Sequence, residues 1–279
     1  MPQQAKVTMV IPVYNPGKYF DDFLNDLAAR RETEVILVED CSTDGSREKL
    51  IEFAKGRPNF KVILHEENMG IIASKRDGVM AVTTPYIMFG DDDDRLPDPD
   101  APHKLVEAIE KNGTDMMMFP VECFKANDQV PDERIQSENN YYRKQVFSYN
   151  SSGSAMLTEP PIVQMFTYRM MNGVVLWSKI FKTQPVQKAY MMAKDVIHVS
   201  GSEDHLAFFL ISCNIKTIST YTEGCFFRHR MGDGLSTRPI VSKERFDFIC
   251  SYLGTLIILR QILEQHGLWK DYIIDAWND

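Results

Sequence analysis

The first 120 residues alternate short apolar runs with segments whose apolar residues recur at helical spacing. Runs that are apolar on both faces are typical of parallel strands buried between helical layers, and a single apolar stripe is typical of a helix packed on a sheet. The alternation predicts βαβ repeats and an α/β fold with a mostly parallel central sheet flanked by helices. The predicted strands are residues 6–13, 34–40, 61–66, 86–90 and 115–121, and the predicted helices lie within residues 19–31, 42–56 and 70–82.

The pattern loosens between residues 121 and 170, where polar, aromatic and turn-forming residues predominate. A stretch of this length and composition predicts a long loop of the kind used as a lid or a binding loop. Ordered patterns resume in residues 173–181 and 215–230, and a helical segment begins near Ser242.

Composition and charge narrow the class of protein. The formal charge of -8 and the sequence pI near 5.3 argue against a nucleic-acid partner, because phosphate binding needs a basic footprint. The five cysteines are scattered without zinc-like spacing, which fits reduced thiols better than a disulfide framework. The first residues lack a secretory signal pattern, and no run reaches about 18 apolar residues. We therefore expect a cytoplasmic protein that is at most peripheral to the inner face of the membrane.

Polar clusters directly follow three of the predicted strands. Tyr14 and Asn15 follow the first strand, Glu39 and Asp40 the second, and the aspartates Asp91–Asp94 the fourth. Ligands of open α/β sheets bind beyond the carboxyl ends of the strands. The sequence therefore predicts a functional site at this edge of the sheet.

The four aspartates raise the question of what compensates their charge. Mutual repulsion and desolvation of neighbouring carboxylates cost free energy, so we expect a cation beside them in the working state. Alternate residues point to the same side, so Asp91 and Asp93 would face one Mn²⁺ or Mg²⁺ together with phosphate oxygens of a substrate. An acidic turn that caps the following helix is the simpler alternative. No GxGxxG follows the first strand, no P-loop is present, and the aspartates do not fit an EF-hand.

Five ordered blocks of the sequence resemble the family 2 glycosyltransferases with the GT-A fold. The blocks are VTMVIPVYN, ILVEDCSTDGS, ENMGIIASKRDG, YIMFGDDDDRLP and GSEDHLAF. The resemblance implies an inverting enzyme that moves a sugar from a nucleotide sugar, with UDP the favoured carrier, to a hydroxyl of a saccharide or lipid-linked saccharide. It also implies Mn²⁺ or Mg²⁺ as cofactor and a place in polysaccharide biosynthesis.

The same resemblance implies roles for individual positions. Asp204 would be the general base and Glu203 would shape the site, because inversion by direct displacement needs a base opposite the leaving diphosphate. The implied metal ligands are Asp93, Asp94 and His229, and the implied contacts to the nucleotide sugar are Pro12, Tyr14, Asn15, Asp40, Lys75, Arg76, Asp91 and Asp92.

The chain departs from the family pattern around the base and the diphosphate, at Glu39, Cys41, Lys75 and Arg76. The block after the aspartates is also one residue shorter than the family form, so Asp92 with Asp94 is an alternative metal pair. Trp177 either lines the acceptor side or belongs to the core.

The resemblance also suggests how the chain is divided. We expect a catalytic domain at residues 1–240, with a nucleotide-sugar-binding half at about residues 1–100 and an acceptor-binding half at about residues 101–240. Residues 241–279 would form a helical extension that packs on this domain, forms a homodimer seam or contacts a membrane surface. The alternative functions are a sugar-phosphate nucleotidyltransferase and a non-catalytic module that binds sugar nucleotides.

Overall fold

The computed structural model describes residues 5–30, 32–128, 130–150, 175–197, 199, 202–224, 227–232 and 242–269. The strands are β1 (Val7–Val13), β2 (Glu34–Glu39), β3 (Phe60–Leu64), β4 (Tyr86–Phe89), β5 (Met116–Met118), β6 (Val121–Lys125), β7 (Lys179–Lys182), β8 (Ile218–Thr220) and β9 (Phe227–Met231). The helices are α1 (Phe20–Ala28), α2 (Ser46–Ala54), α3 (Ile71–Met80), α4 (Ala101–Asn112), α5 (Asp132–Asn150), α6 (Thr183–Met192), α7 (Glu203–Ser212) and α8 (Ser242–Gln265).

A seven-stranded sheet with the order β3-β2-β1-β4-β7-β5-β8 forms the centre of the described structure. β1 pairs in parallel with β2 and β4, β2 with β3, and β5 with β8. β7 runs antiparallel to its neighbours β4 and β5. β6 and β9 form a separate parallel pair. The predicted α/β fold with a mostly parallel sheet is therefore confirmed.

The core lies on both faces of this sheet. In β1, Val10 packs with the layer of α3, α6, α7 and α8, whereas Met9 and Ile11 pack with the layer of α1, α2 and α4. All three side chains are buried. Successive residues of a strand point to opposite faces, so a strand buried on both faces has a continuous apolar sequence.

The fifth predicted strand, residues 115–121, is wrong in its extent. β5 ends at Met118, and β6 begins at Val121 after Pro120. Proline has no N–H and does not donate to a strand ladder, which explains the break at this point. The break moves the chain from the main sheet to the pair β6 and β9, and β9 reaches the site.

The long loop predicted at residues 121–170 is also wrong in part, because β6 and α5 lie within it. Asp132 and Glu133 in the first turn of α5 complement the helix dipole. The helix is polar around most of its circumference, so no apolar stripe marks it in the sequence. The remainder of the predicted loop, from residue 151, lies outside the described residues.

The predicted helical tail is confirmed as α8. Leu259 and Leu263 are fully buried in the same core layer as α3, α6 and α7, whereas Leu253 and Ile257 are 52% and 59% exposed. No helix within the described ranges is long and apolar enough to cross a membrane. The division of the chain at residue 241 stays a prediction.

Gly78 lies where α3 comes closest to the sheet. A Cβ at this position would be 2.5 Å from Cγ1 of Val10 and 3.1 Å from Cγ2 of Val38, both in buried strands. Gly78→Ala would push α3 away from the sheet, and we expect it to lower the free energy of unfolding by about 1 to 3 kcal/mol. Urea unfolding followed by circular dichroism measures this change.

Gly254→Ala in α8 is the matched control, because a Cβ there meets nothing within 4 Å. This change should leave stability unaltered or raise it by up to about 1 kcal/mol, the difference in helix propensity between glycine and alanine. Equal effects of the two substitutions would contradict the close packing of α3 on β1 and β2.

Candidate active site

The loops after β1, β2 and β4 meet at one edge of the sheet. The strand order reverses between β1 and β4, and open α/β sheets bind ligands at such a point. The N–H of Tyr14 donates to Oδ2 of Asp92 over 3.3 Å, which joins the loops after β1 and β4. The N–H of Asn15 donates to Oγ of Ser42 over 3.0 Å, and the N–H of Thr43 donates to Oδ1 of Asn15 over 2.8 Å. The three predicted polar clusters therefore form one site.

The turn after β1 depends on Asn15. Its φ of 48° lies in the left-handed region, which asparagine adopts more readily than most residues. The turn leaves the side chain of Tyr14 half exposed at the edge of the sheet, beside the half-buried Pro12. Pro12, Tyr14 and Asn15 thus line one side of the site.

Asp40 holds the loop before α3. Its carboxylate accepts the N–H groups of Met69 over 2.8 Å and Gly70 over 2.9 Å, and it lies 2.7 Å from Nδ1 of His65. Only 3% of Asp40 is exposed. The carboxylate of Asp40 is therefore bonded to groups of the protein itself, and its contact with a nucleobase stays a prediction.

The two departures from the family pattern beside Asp40 have structural consequences. Glu39 is fully buried, and its carboxylate pairs with Nη1 of Arg47 over 2.7 Å and accepts the N–H of Ser42 over 2.6 Å. Cys41 adopts a φ of 63°, a conformation that glycine reaches without a steric penalty. Glu39 therefore supports the turn, and Cys41 carries the strain that a glycine would avoid.

Burial dominates the protonation of the aspartate turn, residues Asp91–Asp94. Burial raises the pKa of Asp91 to about 8, although the positive charge of Lys75 opposes the rise. Burial and the charge of Asp94 raise the pKa of Asp93 to about 6, and burial with the neighbouring carboxylates raises the pKa of Asp92 well above its usual value. Without a cation, the turn therefore retains protons close to neutral pH.

Asp94 is anchored by β9. Its Oδ1 accepts the N–H of Arg230 over 2.6 Å, and its Oδ2 lies 3.1 Å from Nδ1 of His229. Nε of Arg230 also donates to the carbonyl of Asp93 over 2.8 Å. Protein groups therefore bond to both oxygens of the fully buried Asp94. Its role as a metal ligand, and the alternative register that pairs Asp92 with Asp94, stay predictions.

His229 is oriented by Asp94 and by Trp177. The imidazole stacks on the indole with ring centroids 4.9 Å apart and an interplanar angle of 14°. Burial disfavours the charged ring, but the hydrogen bond and charge of Asp94 raise the pKa of His229 to about 9. Asp94 therefore occupies Nδ1, in the way that a carboxylate orients a histidine in many metal sites, and the role of His229 as a metal ligand stays a prediction. Trp177 is 4% exposed and belongs to the core.

Glu203 and Asp204 begin α7 and face α3. Nζ of Lys75 lies 2.7 Å from Oδ1 of Asp204 and 3.4 Å from Oε1 of Glu203. Asp91 interacts electrostatically with both Lys75 and Asp204. The first turn of α7 therefore lies against the aspartate turn, and the structure brings the two predicted acidic motifs together.

Arg76 pairs with a different part of the chain, and its implied contact with the diphosphate stays a prediction. Its Nη1 donates to the carbonyl oxygens of Lys194 over 2.8 Å and Val196 over 3.1 Å, and its Nε donates to Oδ1 of Asp77 over 3.3 Å. Neighbouring residues of a helix face different sides, so Arg76 lies against the segment after α6 while Lys75 faces the carboxylates.

Two buried polar residues near Asp204 were not indicated by any motif. Lys179 in β7 is 1% exposed and donates to the carbonyl of Val175 over 2.5 Å and to Oγ of Ser178 over 3.2 Å. The hydroxyl of Tyr190 in α6 is buried and has no hydrogen-bond partner among the described residues. The signal available in the sequence was a lysine inside the apolar run VVLWSKIF. Such a lysine is expected to have polar partners, because lysine is almost never fully buried without them.

The oxygen-rich turn suits a hard divalent cation. In the described part of the chain, no three His, Cys, Asp or Glu side chains form a ready metal site. Mn²⁺ and Mg²⁺ do not need one, because one or two carboxylates with substrate phosphate oxygens suffice. Burial raises the pKa of Asp91 and Asp93, and a cation beside these carboxylates would favour their charged forms. The residues present therefore fit a cation that arrives with a phosphate group.

The sheet order and the two acidic motifs at its carboxyl edge define an α/β enzyme of the GT-A type. Two solved structures share this fold. S. aureus TarS 1-349 in complex with UDP-GlcNAc has a TM-score of 0.65 at 19% identity, over 92% of this chain and 66% of that chain. The mannosyltransferase PcManGT from Pyrobaculum calidifontis, in complex with GDP-Man and Mn²⁺, has a TM-score of 0.54 at 11% identity, over 99% of this chain and 74% of that chain.

The chain belongs to glycosyl transferase family 2, whose sequence profile matches residues 8–177. A curated relative, the teichoic acid poly(glycerol phosphate) polymerase of Staphylococcus epidermidis, is 30% identical over 154 residues, which are 50% of this chain and 21% of the relative. The chain spans less than half the length of the curated relatives it matches. The family and the fold implied by the sequence blocks are confirmed.

The pair of Asp94 and His229 should make stability depend on pH. The pKa of His229 rises from 6.5 to about 9, so its stabilising effect is complete below the lower value and is lost as the pH rises through the higher one. Between about pH 6 and about pH 10, we expect the free energy of unfolding of the metal-free wild type to fall by up to about 3 kcal/mol more than that of the His229→Gln variant. Urea unfolding in the presence of EDTA measures the difference.

His103→Gln is the control for this experiment, because His103 is exposed on α4, where it pairs with Glu107 at 3.3 Å. This variant should follow the pH dependence of the wild type. If His229→Gln also follows it, the pair of Asp94 and His229 does not stabilise the fold.

Proposed function

We propose that this protein is an inverting, metal-assisted glycosyltransferase that uses a UDP-sugar and a saccharide or lipid-linked saccharide acceptor. The observation that carries the proposal is the junction of the aspartate turn with Glu203 and Asp204, bridged by Lys75. Displacement at an anomeric carbon needs charge stabilisation for the leaving diphosphate and a base for the acceptor hydroxyl. The junction supplies carboxylates for both tasks at one edge of the sheet.

The donor would lie over the loops after β1 and β2. Pro12, Tyr14 and Asn15 line this surface, and the half-exposed ring of Tyr14 offers an apolar face to a base or ribose. Asp91 and Asp92 lie at the adjacent edge and would face the ribose. The UDP-GlcNAc complex of the TarS structure supports a uridine donor, although the mannosyltransferase of the same fold holds GDP-Man.

Asp93 would hold Mn²⁺ or Mg²⁺ together with the diphosphate, and Nε2 of His229 would be the second protein ligand. When bound, the ion neutralises the carboxylates and stabilises the charge on the departing diphosphate. Asp94 orients His229, and Arg230 fixes the backbone of Asp93. The Mn²⁺ in the mannosyltransferase complex supports this cofactor.

Asp204 would accept the proton of the acceptor hydroxyl. Lys75 pairs with Oδ1 over 2.7 Å, so Oδ2 would be the oxygen that accepts the proton of the acceptor. Attack from this side, opposite the diphosphate, gives inversion in a single displacement. Glu203, whose pKa burial raises, would shape the acceptor side of the site.

The teichoic acid polymerase among the relatives supports a place in polysaccharide biosynthesis. A lipid-linked acceptor would agree with a cytoplasmic protein at the inner face of the membrane. This location, the membrane contact and the homodimer stay predictions.

Asp204→Asn tests the base. Loss of the proton acceptor should lower kcat by about 10² to 10⁴-fold, because general base catalysis contributes a factor of this size. The affinity for UDP with Mn²⁺ should stay within about threefold, because Asp204 does not touch the donor in this mechanism. Release of UDP from a panel of UDP-sugars, with and without saccharide acceptors, measures kcat, and calorimetry measures affinity.

Asp195→Asn is the matched control, since the side chain of Asp195 is 87% exposed and its ion pair is with the adjacent Lys194 at 3.4 Å. It should behave like the wild type in both assays. Loss of UDP binding together with activity in Asp204→Asn would give Asp204 a structural role, and full activity would exclude it as the base. Release of pyrophosphate from a nucleoside triphosphate and a sugar phosphate would instead favour the nucleotidyltransferase.

Asp93→Asn tests the metal site. Mn²⁺ and UDP together should raise the melting temperature of the wild type by several degrees, since a ligand at about 100 times its Kd adds about 2.7 kcal/mol of stability. Asp93→Asn should lose most of this Mn²⁺-dependent shift because it removes a ligand charge. A thermal-shift panel of UDP, GDP and dTDP, each with and without Mn²⁺, also identifies the base.

Asp195→Asn again serves as the control and should keep the full shift. A wild-type protein that melts at the same temperature with and without UDP and Mn²⁺ would contradict the nucleotide and metal site. An unchanged shift in Asp93→Asn would place the cation elsewhere in the turn.

A further inference from the structure

Lys75 is a buried cation placed between the two acidic motifs. It lies in α3 and is 2% exposed, and its Nζ contacts Asp204 at 2.7 Å and Glu203 at 3.4 Å. It also interacts electrostatically with Asp91 of the aspartate turn. One ammonium group therefore faces carboxylates of the aspartate turn and of α7.

A comparison within the same site shows what keeps Lys75 charged. Lys179 is equally buried, but its hydrogen-bond partners are a carbonyl and a hydroxyl, and burial lowers its pKa to about 7. Burial also disfavours the charge of Lys75, yet Asp204, Glu203 and Asp91 raise its pKa well above the usual value. The carboxylates therefore determine the charge of Lys75, and its charge in turn allows them to approach one another.

The geometry points to Lys75 as the positioning residue of the base: it fixes Oδ1 of Asp204 by an ion pair and so presents Oδ2 to the acceptor hydroxyl. This inference rests on the proposed function and adds to it a role that differs from the implied contact with the diphosphate. An ammonium group committed to two carboxylates in the interior holds their rotamers, because separating the ions would leave buried charges without partners. Lys75 acts through Asp204 and does not touch the reacting atoms.

The same ion pair makes the relative position of the two motifs depend on Lys75. Asp91 and Asp204 repel each other, as the charge of Asp204 contributes to the raised pKa of Asp91. Lys75 attracts both, so it holds the first turn of α7 close to the aspartate turn. Catalysis by a positioned base is sensitive to such placement, because a shift of about 1 Å can cost about 100-fold in rate.

The test uses Lys75→Met and Lys75→Arg, each alone and combined with Asp204→Asn. Lys75→Met should lower kcat by about 10- to 100-fold and leave the donor KM and the affinity for UDP with Mn²⁺ within about threefold. Lys75→Arg should recover most of kcat, because it restores a charge that can pair with both carboxylates. Lys75→Met with Asp204→Asn should be no slower than Asp204→Asn alone, since residues that act as a unit are not additive.

Two outcomes would overturn the inference. A loss of UDP affinity in Lys75→Met that accounts for its lost activity would make Lys75 a phosphate-binding residue. Multiplicative losses in the double variant would show that Lys75 acts independently of Asp204. If Lys75→Met does not melt cooperatively, Lys75→Gln, which keeps a hydrogen-bond donor without charge, is judged by the same criteria.

Failure of the proposed function gives a different result from failure of this inference. If the wild-type protein neither transfers nor hydrolyses any sugar nucleotide, both proposals are rejected before the Lys75 variants are compared. A wild type that is active, with Asp204→Asn inactive and Lys75→Met fully active, retains the base and rejects the positioning role alone. Lys188→Met, on the exposed side of α6, is the control for removal of a lysine and should not alter kcat.

Discussion

Carboxylates from separate parts of the chain meet at the carboxyl edge of the sheet, and the compensation of their charge is the constraint on which the site depends. In the aspartate turn after β4 and the first turn of α7, burial and then the neighbouring carboxylates raise the pKa of Asp91 and Glu203. Lys75 from α3 and Arg230 from β9 supply positive groups from two further elements. A folded state with this edge therefore requires all four elements in place together, which ties the site to the global fold.

The sequence predicted the elements whose positions follow from local patterns of apolar and polar residues. β1, β2 and β4 are apolar because each of these strands is covered on both faces, and the polar residues after them mark the points where the strands leave the core. Tyr14, Asn15 and Asp92 were therefore identified as edge residues from local patterns alone. α5 was missed because its polar surface carries no periodic signal, and Pro120 was overlooked as the break between β5 and β6.

Local sequence patterns could not predict which residues pair with each other across the site. Lys75 and Asp204 are separated by 129 positions, and Asp94 and the N–H of Arg230 by 136 positions. Such pairs depend on which strands neighbour each other, and β7 enters the sheet between β4 and β5 in an order that periodicity does not encode. The family resemblance located both acidic motifs, but it did not show that a lysine of α3 would pair with the second.

The anchoring of Asp94 separates structural from reactive acids within four consecutive residues. Asp94 is fully buried and bonded to β9 through both oxygens, so it fixes the turn that presents Asp91 and Asp93. The stack of His229 on Trp177 extends this support into the core, and Trp177 also stacks on Phe227 with ring centroids 5.0 Å apart. The interior hydrogen bonds of Asp94 to β9 offset the repulsion among the other carboxylates of the turn, so the turn can keep these carboxylates without a full counter-charge. In the proposed mechanism, Asp93 beside Asp91 would then bind the cation that arrives with the substrate.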